Sequence, residues 1–405
     1  MNMGYGSIFD KMLKSNQQKK QTAKWGLVLS GGGTKGAYEI GVWKAIRKLR
    51  IPIRGITGTS IGALNAAMFL CCTPEQIEDI YRNIRLSDVL PISGNLDPNK
   101  NLFDRTNLLT LIHEFLSQKG LDNAPLRHML ETHLDIDKIY ASDLDLGVVT
   151  YNIKTREPFQ IFKEDIDRDK LIDYLLASAN FPIFKAQIVN NKQFMDGGLY
   201  DNMPFNPLIE RRYTHLIVVD INGLGMTRKL ENSDRIYLKR IVCSEDLGGT
   251  FEFNQDRIIR NMKLGYLDTM KAFHRLFGSY YFFSRTAFMN LLQNFDLDTI
   301  WGLETAAKIY KIDRYRLYKA EEFLTEIETR HAKADLNYTD KSSSTLLNLD
   351  RSDLLRSIAA EVSVPSLVHA FTELPSKQDS GLAKAFPDAA AAARAIIELS
   401  NYRRL

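Results

Sequence analysis

The apolar positions of this chain change period repeatedly, and the changes outline its architecture. Gly26-Leu-Val-Leu29 is a short unbroken apolar run closed by Ser30-Gly-Gly-Gly33, which reads as a buried strand ending in a turn that glycines make readily. Val42, Ala45, Ile46 and Leu49 then recur at helical spacing, so a helix is expected to about Leu49, with Pro52 behind it as a stop. Gly55–Thr59 reads as a second strand and Ile61–Phe69 as a second, mostly apolar helix. Strand and helix alternating in this way predict crossover connections and a parallel sheet. Further helices are expected over Pro74–Asn83, Asn107–Leu116, Pro125–Thr132 and Leu171–Ala179, and strands over Leu146–Tyr151 and Pro158–Phe162. Ala186–Val189 and Gln193–Met195 flank Asn190-Asn191, a hairpin signal. Leu216–Asp220 is apolar enough for a buried, central strand.

After about Asp256 the spacing becomes helical, over Ile258–Phe277 and Thr305–Thr329, and the alanine run 389–393 is helical as well. Residues 335–350 and 372–382 are polar connections. The first 23 residues are a polar, Gln/Lys-rich lead-in. Ile8, Phe9, Met12 and Leu13 could line one side of a short helix there, more readily docked on the core than on a membrane. The division expected is therefore a lead-in (1–23), a sheet-bearing domain (24–255) and a mainly helical region (256–405).

Composition narrows the function classes. With 44% hydrophobic and 25% charged residues, the 405-residue chain has the make-up of a soluble globular protein. Lys and Arg number 53 against 49 Asp and Glu, a net +4, too small an excess for a nucleic-acid binder. Of the cysteines, Cys71 and Cys72 are adjacent and Cys243 stands apart, which excludes a disulfide framework and favours a reducing compartment. No apolar run reaches the roughly 18 residues of a membrane span. The N-terminus lacks a signal-peptide pattern, and Asn2 removes the usual myristoylation signal. A cytoplasmic location is expected.

Three motifs carry candidate chemistry. Gly58-Thr-Ser60-Ile-Gly62 is a G-x-S-x-G placed at the end of a strand and the start of a helix, the setting of a nucleophile elbow. Gly31-Gly-Gly33-Thr-Lys35-Gly36 fits a dinucleotide fingerprint by spelling, but no Asp or Glu lies between Ile40 and Pro74 to hold a ribose, and no Lys-Ser/Thr follows to make a phosphate loop. What remains is a row of unhindered N–H groups at a helix N-terminus. Beside a serine nucleophile, that is an oxyanion hole built from Gly31, Gly32 and Gly33. The third motif, Asp196-Gly197-Gly198, would alone be read as a turn. It gains weight because Ser60 needs a base and no histidine after Asp196 has a catalytic setting. His215 opens its strand, at the wrong edge of a parallel sheet. His274 is expected inside a helix, and His331 and His369 lie in the helical tail.

In this order the three motifs resemble those of the patatin-like phospholipases. Ala177-Ser-Ala-Asn-Phe-Pro182 is similar to that family's A-S-x-A-x-P block, and Asp196-Gly-Gly-Leu-Tyr-Asp-Asn-Met-Pro204 to its stretch after the acid. The resemblance covers about residues 24–225, with weaker similarity to roughly 280. It implies an α/β, patatin-like three-layer sandwich with a mostly parallel central sheet flanked by helices, followed by a helical C-terminal extension. It also implies a Ser–Asp dyad, Ser60 as nucleophile and Asp196 as base. Ser30 and Lys35 depart from common family choices of Asp and Arg; a loop acting through its backbone tolerates both, although lysine gives no bidentate grip on a phosphate.

The expected activity is hydrolysis of phospholipid or other acyl-lipid esters, of phospholipase A or lysophospholipase type, through an acyl-enzyme at a membrane surface. Leu102 and Phe103 are candidates for docking there. Neither a cofactor nor a metal is expected, nor a nucleic-acid partner. An acyltransferase with the same dyad and a non-catalytic regulatory protein of the same fold are the alternatives. Homo-oligomerisation, and a regulator acting on residues 256–405, stay open.

Overall fold

The computed structural model describes residues 24–91, 120–231, 233–336, 364–373, 375 and 381–404. The expected lead-in, the helix Asn107–Leu116, and Leu102 and Phe103 lie outside the described residues. The chain divides into two compact units, Met1–Thr269 and Met270–Leu405.

The first unit is built on one eight-stranded sheet. Its strands are β1 (Trp25–Leu29), β2 (Ile53–Thr59), β3 (Asp145–Asn152), β4 (Glu157–Phe162), β5 (Gln187–Val189), β6 (Lys192–Asp196), β7 (His215–Asp220) and β8 (Tyr237–Val242). They lie in the order β5-β6-β3-β2-β1-β7-β8, with β4 also paired to β3. The five strands from β3 to β8 run parallel, and β4, β5 and β6 are antiparallel additions. Every residue of β1 is buried, the signature of a parallel strand covered on both faces, so its apolar residues run without alternation. The helices are α1 (Ala37–Lys48), α2 (Ile61–Cys71), α3 (Pro74–Asn83), α4 (Ala124–His133), α5 (Ile136–Ala141), α6 (Leu171–Ser178), α7 (Asn206–Glu210) and α8 (Gln255–Ala272). Among the expected elements, α3 falls on its expected residues, capped by Thr73 and Gln76 in a capping box with Pro74 at its first turn.

One feature of the sheet positions the site. β3 has β4 along one edge from Gly147 to Asn152. Its other edge is shared. β2 pairs with it as far as Thr59 opposite Val149, where the chain turns away at Ser60. β6 then takes over that edge, with Asp196 opposite Thr150. The last residue of one strand and the last residue of another thus meet head to head beside consecutive residues of β3. The hairpin that delivers β6 turns at Asn190 and Asn191, whose φ values of 49° and 59° match a type I′ turn.

The apolar-to-helical change of pattern near residue 255 marks the start of α8, but the compact units divide further along, after Thr269. The reason lies in how α8 packs on α1. A methyl group on Gly41 would come within 1.9 Å of the Met262 carbonyl oxygen, and one on Gly265 within 1.9 Å of the Tyr38 carbonyl oxygen. Two glycines let the backbones touch, and the Tyr38 hydroxyl donates to Asp268 Oδ2 at 3.0 Å.

The second unit is helical: α9 (Arg285–Asn294), α10 (Leu297–Ile309), α11 (Ala320–Leu336), α12 (Val364–Glu373), α13 (Gly381–Ala385) and α14 (Pro387–Arg404). Its core holds Tyr281, Phe283, Phe323 and Phe371, with the alanines of α14 packed among them. Two expected helices are corrected here. Thr305–Thr329 is not one helix, because α10 stops at Ile309. Lys311 takes φ 54°, its N–H donates to Lys308 O, and Ile312 N–H reaches back to Ala307 O. Ile258–Phe277 likewise ends at Ala272, with His274 at φ 55° and Arg275 N–H on Met270 O. Both are Schellman stops made without the usual glycine. His274 therefore sits in a turn, not inside a helix.

Candidate active site

Ser60 occupies the junction between β2 and α2 with φ 55° and ψ −128°, a strained conformation costing on the order of 1–3 kcal/mol. The flanking glycines make the junction possible. A methyl group on Gly58 would lie 2.3 Å from the Gly62 carbonyl, and one on Gly62 would lie 2.6 Å from the Leu29 carbonyl oxygen. The elbow folds onto itself and onto the end of β1 so tightly that only hydrogen fits. Its effect is to lift the Ser60 hydroxyl off the carboxyl edge of the sheet.

Asp196 meets that hydroxyl. Ser60 Oγ donates to Asp196 Oδ2 at 2.7 Å, and Asp196 Oδ1 accepts the Gly198 N–H at 2.8 Å. Asp196 is 6% exposed, and its burial pushes the carboxyl up to about 6, against the pull of the two hydrogen bonds. Gly197 is needed at close quarters, since a methyl there would lie 2.3 Å from the Val149 carbonyl oxygen. No histidine lines the cavity among the described residues. His215 stands where the sequence places it, at the first residue of β7 beside Trp25, the amino-terminal edge of the sheet.

The glycine loop lies over the same end of β1. Of the three expected oxyanion donors, Gly31 is corrected: its N–H donates to the Asn202 carbonyl oxygen at 3.2 Å and is taken. Among the described residues none accepts from the N–H groups of Gly32 or Gly33. The loop is pinned from outside. Thr34 N–H donates to Thr250 O at 2.9 Å and its hydroxyl to Gly249 O, and Lys35 Nζ donates to Asn222 O at 2.9 Å. The lysine braces the loop and does not line the cavity. Gly36 is tied from below, where its carbonyl accepts from Asn65 Nδ2.

Several residues that the sequence did not single out complete the frame. The Ser178 hydroxyl accepts the Ser60 N–H, and the Asn180 carbonyl accepts the Asp196 N–H at 2.9 Å. Both lie in the Ala177–Pro182 block, whose signal was visible but whose role was not. Asn202 Nδ2 donates to the Gly31 carbonyl, and the Thr59 hydroxyl donates to the Asp201 carbonyl at 2.7 Å. Beneath the loop, Tyr81 OH donates to Asn65 Oδ1, and Asn65 Nδ2 donates to Glu39 Oε2 at 2.8 Å. Glu39 is fully buried, and burial pushes its carboxyl up to about 8, so it stands neutral at pH 7.

A cavity of about 410 Å³ opens beside Ser60, within the range of small-molecule sites, and its walls are apolar: Leu64, Leu126, Met129, Phe181 and Phe251 among them. Among the described residues no group of three His, Cys, Asp or Glu side chains is arranged to hold a metal ion, and no helix is long and apolar enough to cross a membrane.

A serine–carboxylate pair at a strand–helix elbow, with free amides beside it and an apolar cavity above, on an α/β sandwich, defines a class of protein. The particular family follows from comparison: the family model for patatin-like phospholipases matches residues 27–209, and this part of the chain belongs to that family. The neuropathy target esterase sws of Drosophila melanogaster is 23% identical over 207 residues, covering 49% of this chain and 13% of the fly protein. The lysophospholipase nte1 of Aspergillus terreus is 54% identical over 44 residues, covering 11% of this chain and 3% of the fungal protein. The chain thus spans only a small part of these relatives. Among solved structures, VipD from Legionella pneumophila aligns over 94% of this chain and 90% of its own, at 16% identity and a TM-score of 0.36.

Proposed function

We propose that this chain is a serine acyl hydrolase of phospholipids or related acyl lipids, working through a Ser60–Asp196 dyad. The observation that carries the reading is the 2.7 Å hydrogen bond from Ser60 Oγ to Asp196 Oδ2, made under an apolar cavity beside two free loop amides. Asp196 takes the hydroxyl proton as Ser60 Oγ attacks the ester carbonyl carbon. The developing oxyanion is held by the N–H groups of Gly32 and Gly33. The carbon–oxygen bond to the alcohol then breaks, and that alcohol leaves with the proton from Asp196. Water, giving its proton to Asp196, attacks the acyl carbon; the bond from that carbon to Ser60 Oγ breaks, Ser60 takes the proton back from Asp196, and the fatty acid is released. A carboxyl raised to about 6 is a better proton acceptor than an ordinary aspartate and is still ionised at pH 7.

Membership of a patatin-like family supports a lipid as the acyl donor, and the apolar walls of the cavity suit an acyl chain. The chain would act in the cytoplasm, resting on a membrane without spanning it. The test is to expose phospholipid vesicles to the wild type and to Ser60→Ala and to analyse the lipids released. Free fatty acid from the wild type alone supports the reading. Transacylated lipid without free fatty acid would make the protein an acyltransferase, and failure of a fluorophosphonate probe to label Ser60 would leave it a non-catalytic binder.

A further inference from the structure

Three large apolar side chains on the rim of the cavity face solvent: Leu199 is 43% exposed, Met226 66% and Leu224 70%. Leu199 follows the Asp196-Gly197-Gly198 turn, and the other two lie in the connection from β7 to β8. Soluble proteins rarely gather exposed apolar groups without a use for them. This patch is also built, not frayed. Met226 N–H donates to the Gly198 carbonyl at 3.0 Å, and its own carbonyl accepts the Asn202 N–H at 2.6 Å. The loop is therefore stapled on both sides of one residue to the segment that carries Asp196, while its apolar side chains point outward. Immediately behind them come Arg228, stacked on the Tyr200 ring at 5.0 Å, and the exposed Lys229.

We propose that the loop 222–230 is a membrane-docking finger: Leu224 and Met226, with Leu199, enter the outer edge of a phospholipid layer while Arg228 and Lys229 meet its anionic phosphates. Docking of this kind rests on the acyl-lipid reading of the site and deepens it. Apolar tips followed by cations are the chemistry of a group lying in a bilayer interface. The patch is also continuous with the cavity that ends on Ser60, so a layer seated on it presents its acyl chains to the dyad without leaving the apolar phase. A protein partner covering the same rim would close the cavity instead.

The test measures binding apart from turnover. The full chain carrying Ser60→Ala is co-sedimented with phosphatidylcholine vesicles, with and without phosphatidylserine, after circular dichroism confirms its fold. Adding Leu224→Asp and Met226→Asp together should weaken binding by roughly tenfold or more on both vesicle types, the scale of losing two inserted apolar side chains and adding two charges. In the active chain, Lys229→Glu should weaken binding severalfold only on the anionic vesicles, with turnover of a monomeric soluble ester unchanged. A Leu224→Trp variant should gain quenching by brominated phospholipid beyond its parent, and this readout stands even if the aspartate pair disturbs folding. Unchanged binding of a folded Asp/Asp variant, an unquenched indole, or self-association through these residues without vesicle binding would overturn the proposal. Soluble-ester turnover by a chain that ignores vesicles would sink the docking finger alone. Vesicle binding through Leu224 and Met226 with no turnover of any ester would sink the hydrolase reading alone.

Discussion

The Ser178 hydroxyl accepts the backbone N–H of Ser60 at 3.0 Å while donating to the Val149 carbonyl at 2.6 Å. It thus ties the strained elbow to the strand along which Ser60 and Asp196 meet. Ser178 is fully buried, so its removal leaves two polar backbone groups without a partner. Ser178→Ala should cost about 1–3 kcal/mol of stability, measured by urea unfolding. It should also lower kcat on a fluorogenic acyl ester by roughly tenfold or more, because a misplacement of the nucleophile by a fraction of an ångström weakens every step that follows. A variant with unchanged kcat would show that the elbow holds its own geometry.

The glycine loop separates two substitutions that look alike in sequence. Gly33 takes φ 62°, and a methyl on it would lie 2.0 Å from the Thr250 carbonyl oxygen, a backbone atom that is itself pinned by Thr34. A methyl on Gly32 would meet Ile221 Cδ1 at 2.8 Å, the end of a side chain that can rotate away. Gly33→Ala should therefore lose turnover by roughly a hundredfold or more, the scale of losing an oxyanion donor. Gly32→Ala should lose less. Steady-state kinetics on both variants decide it, and the reverse order would place the oxyanion elsewhere.

Glu39 makes stability fall with pH in a defined window. The unfolded chain releases this proton near its ordinary value of 4.5, whereas the folded chain keeps it to about 8. Between those values the unfolded state binds fewer protons, so each step up in pH favours unfolding, and the contribution is exhausted above about 8. Glu39→Gln, neutral at every pH, should remove this slope. Urea unfolding between about pH 5 and pH 8 should show the wild type losing stability relative to the variant as pH rises; parallel curves would mean that Glu39 ionises normally.

Asp196 gives activity the opposite dependence. In the proposed dyad its carboxyl must be ionised to take the Ser60 proton, and burial pushes it up to about 6. The plot of kcat/KM against pH should therefore fall about tenfold per unit below that value and flatten above it. An acid limb near the ordinary aspartate range would mean that burial does not raise the Asp196 carboxyl, and a profile with no acid limb that Asp196→Asn abolishes would mean that some other group carries the proton.

Much of this site could be read from the chain because its chemistry is local. Gly58, Ser60 and Gly62 have to be neighbours to make an elbow, and Asp196 is named by its glycines. The strand before the glycine loop, ending Gly26-Leu-Val-Leu29, announces itself by an unbroken apolar run. What could not be read depends on contacts between distant residues. Nothing near Gly31 shows that its N–H is spent on Asn202, and nothing in Ser178 shows that it caps Ser60. The edge strand β8 was missed because Lys239 and Arg240 interrupt its apolar residues, as edge strands commonly require. The helix stops at Lys311 and His274 were missed because each puts a non-glycine residue at positive φ, where sequence reading looks for glycine.

Whether Asp196 alone serves Ser60 as its base is decided by kcat/KM of Asp196→Asn beside Ser60→Ala, with each of the seven histidines replaced singly, all confirmed folded by circular dichroism. An amide keeps the shape of the carboxylate and cannot take the proton, so Asp196→Asn should fall as far as Ser60→Ala while every histidine variant keeps substantial activity. A folded histidine variant as inactive as Ser60→Ala would contradict the dyad and reduce Asp196 to the orienting acid of a triad.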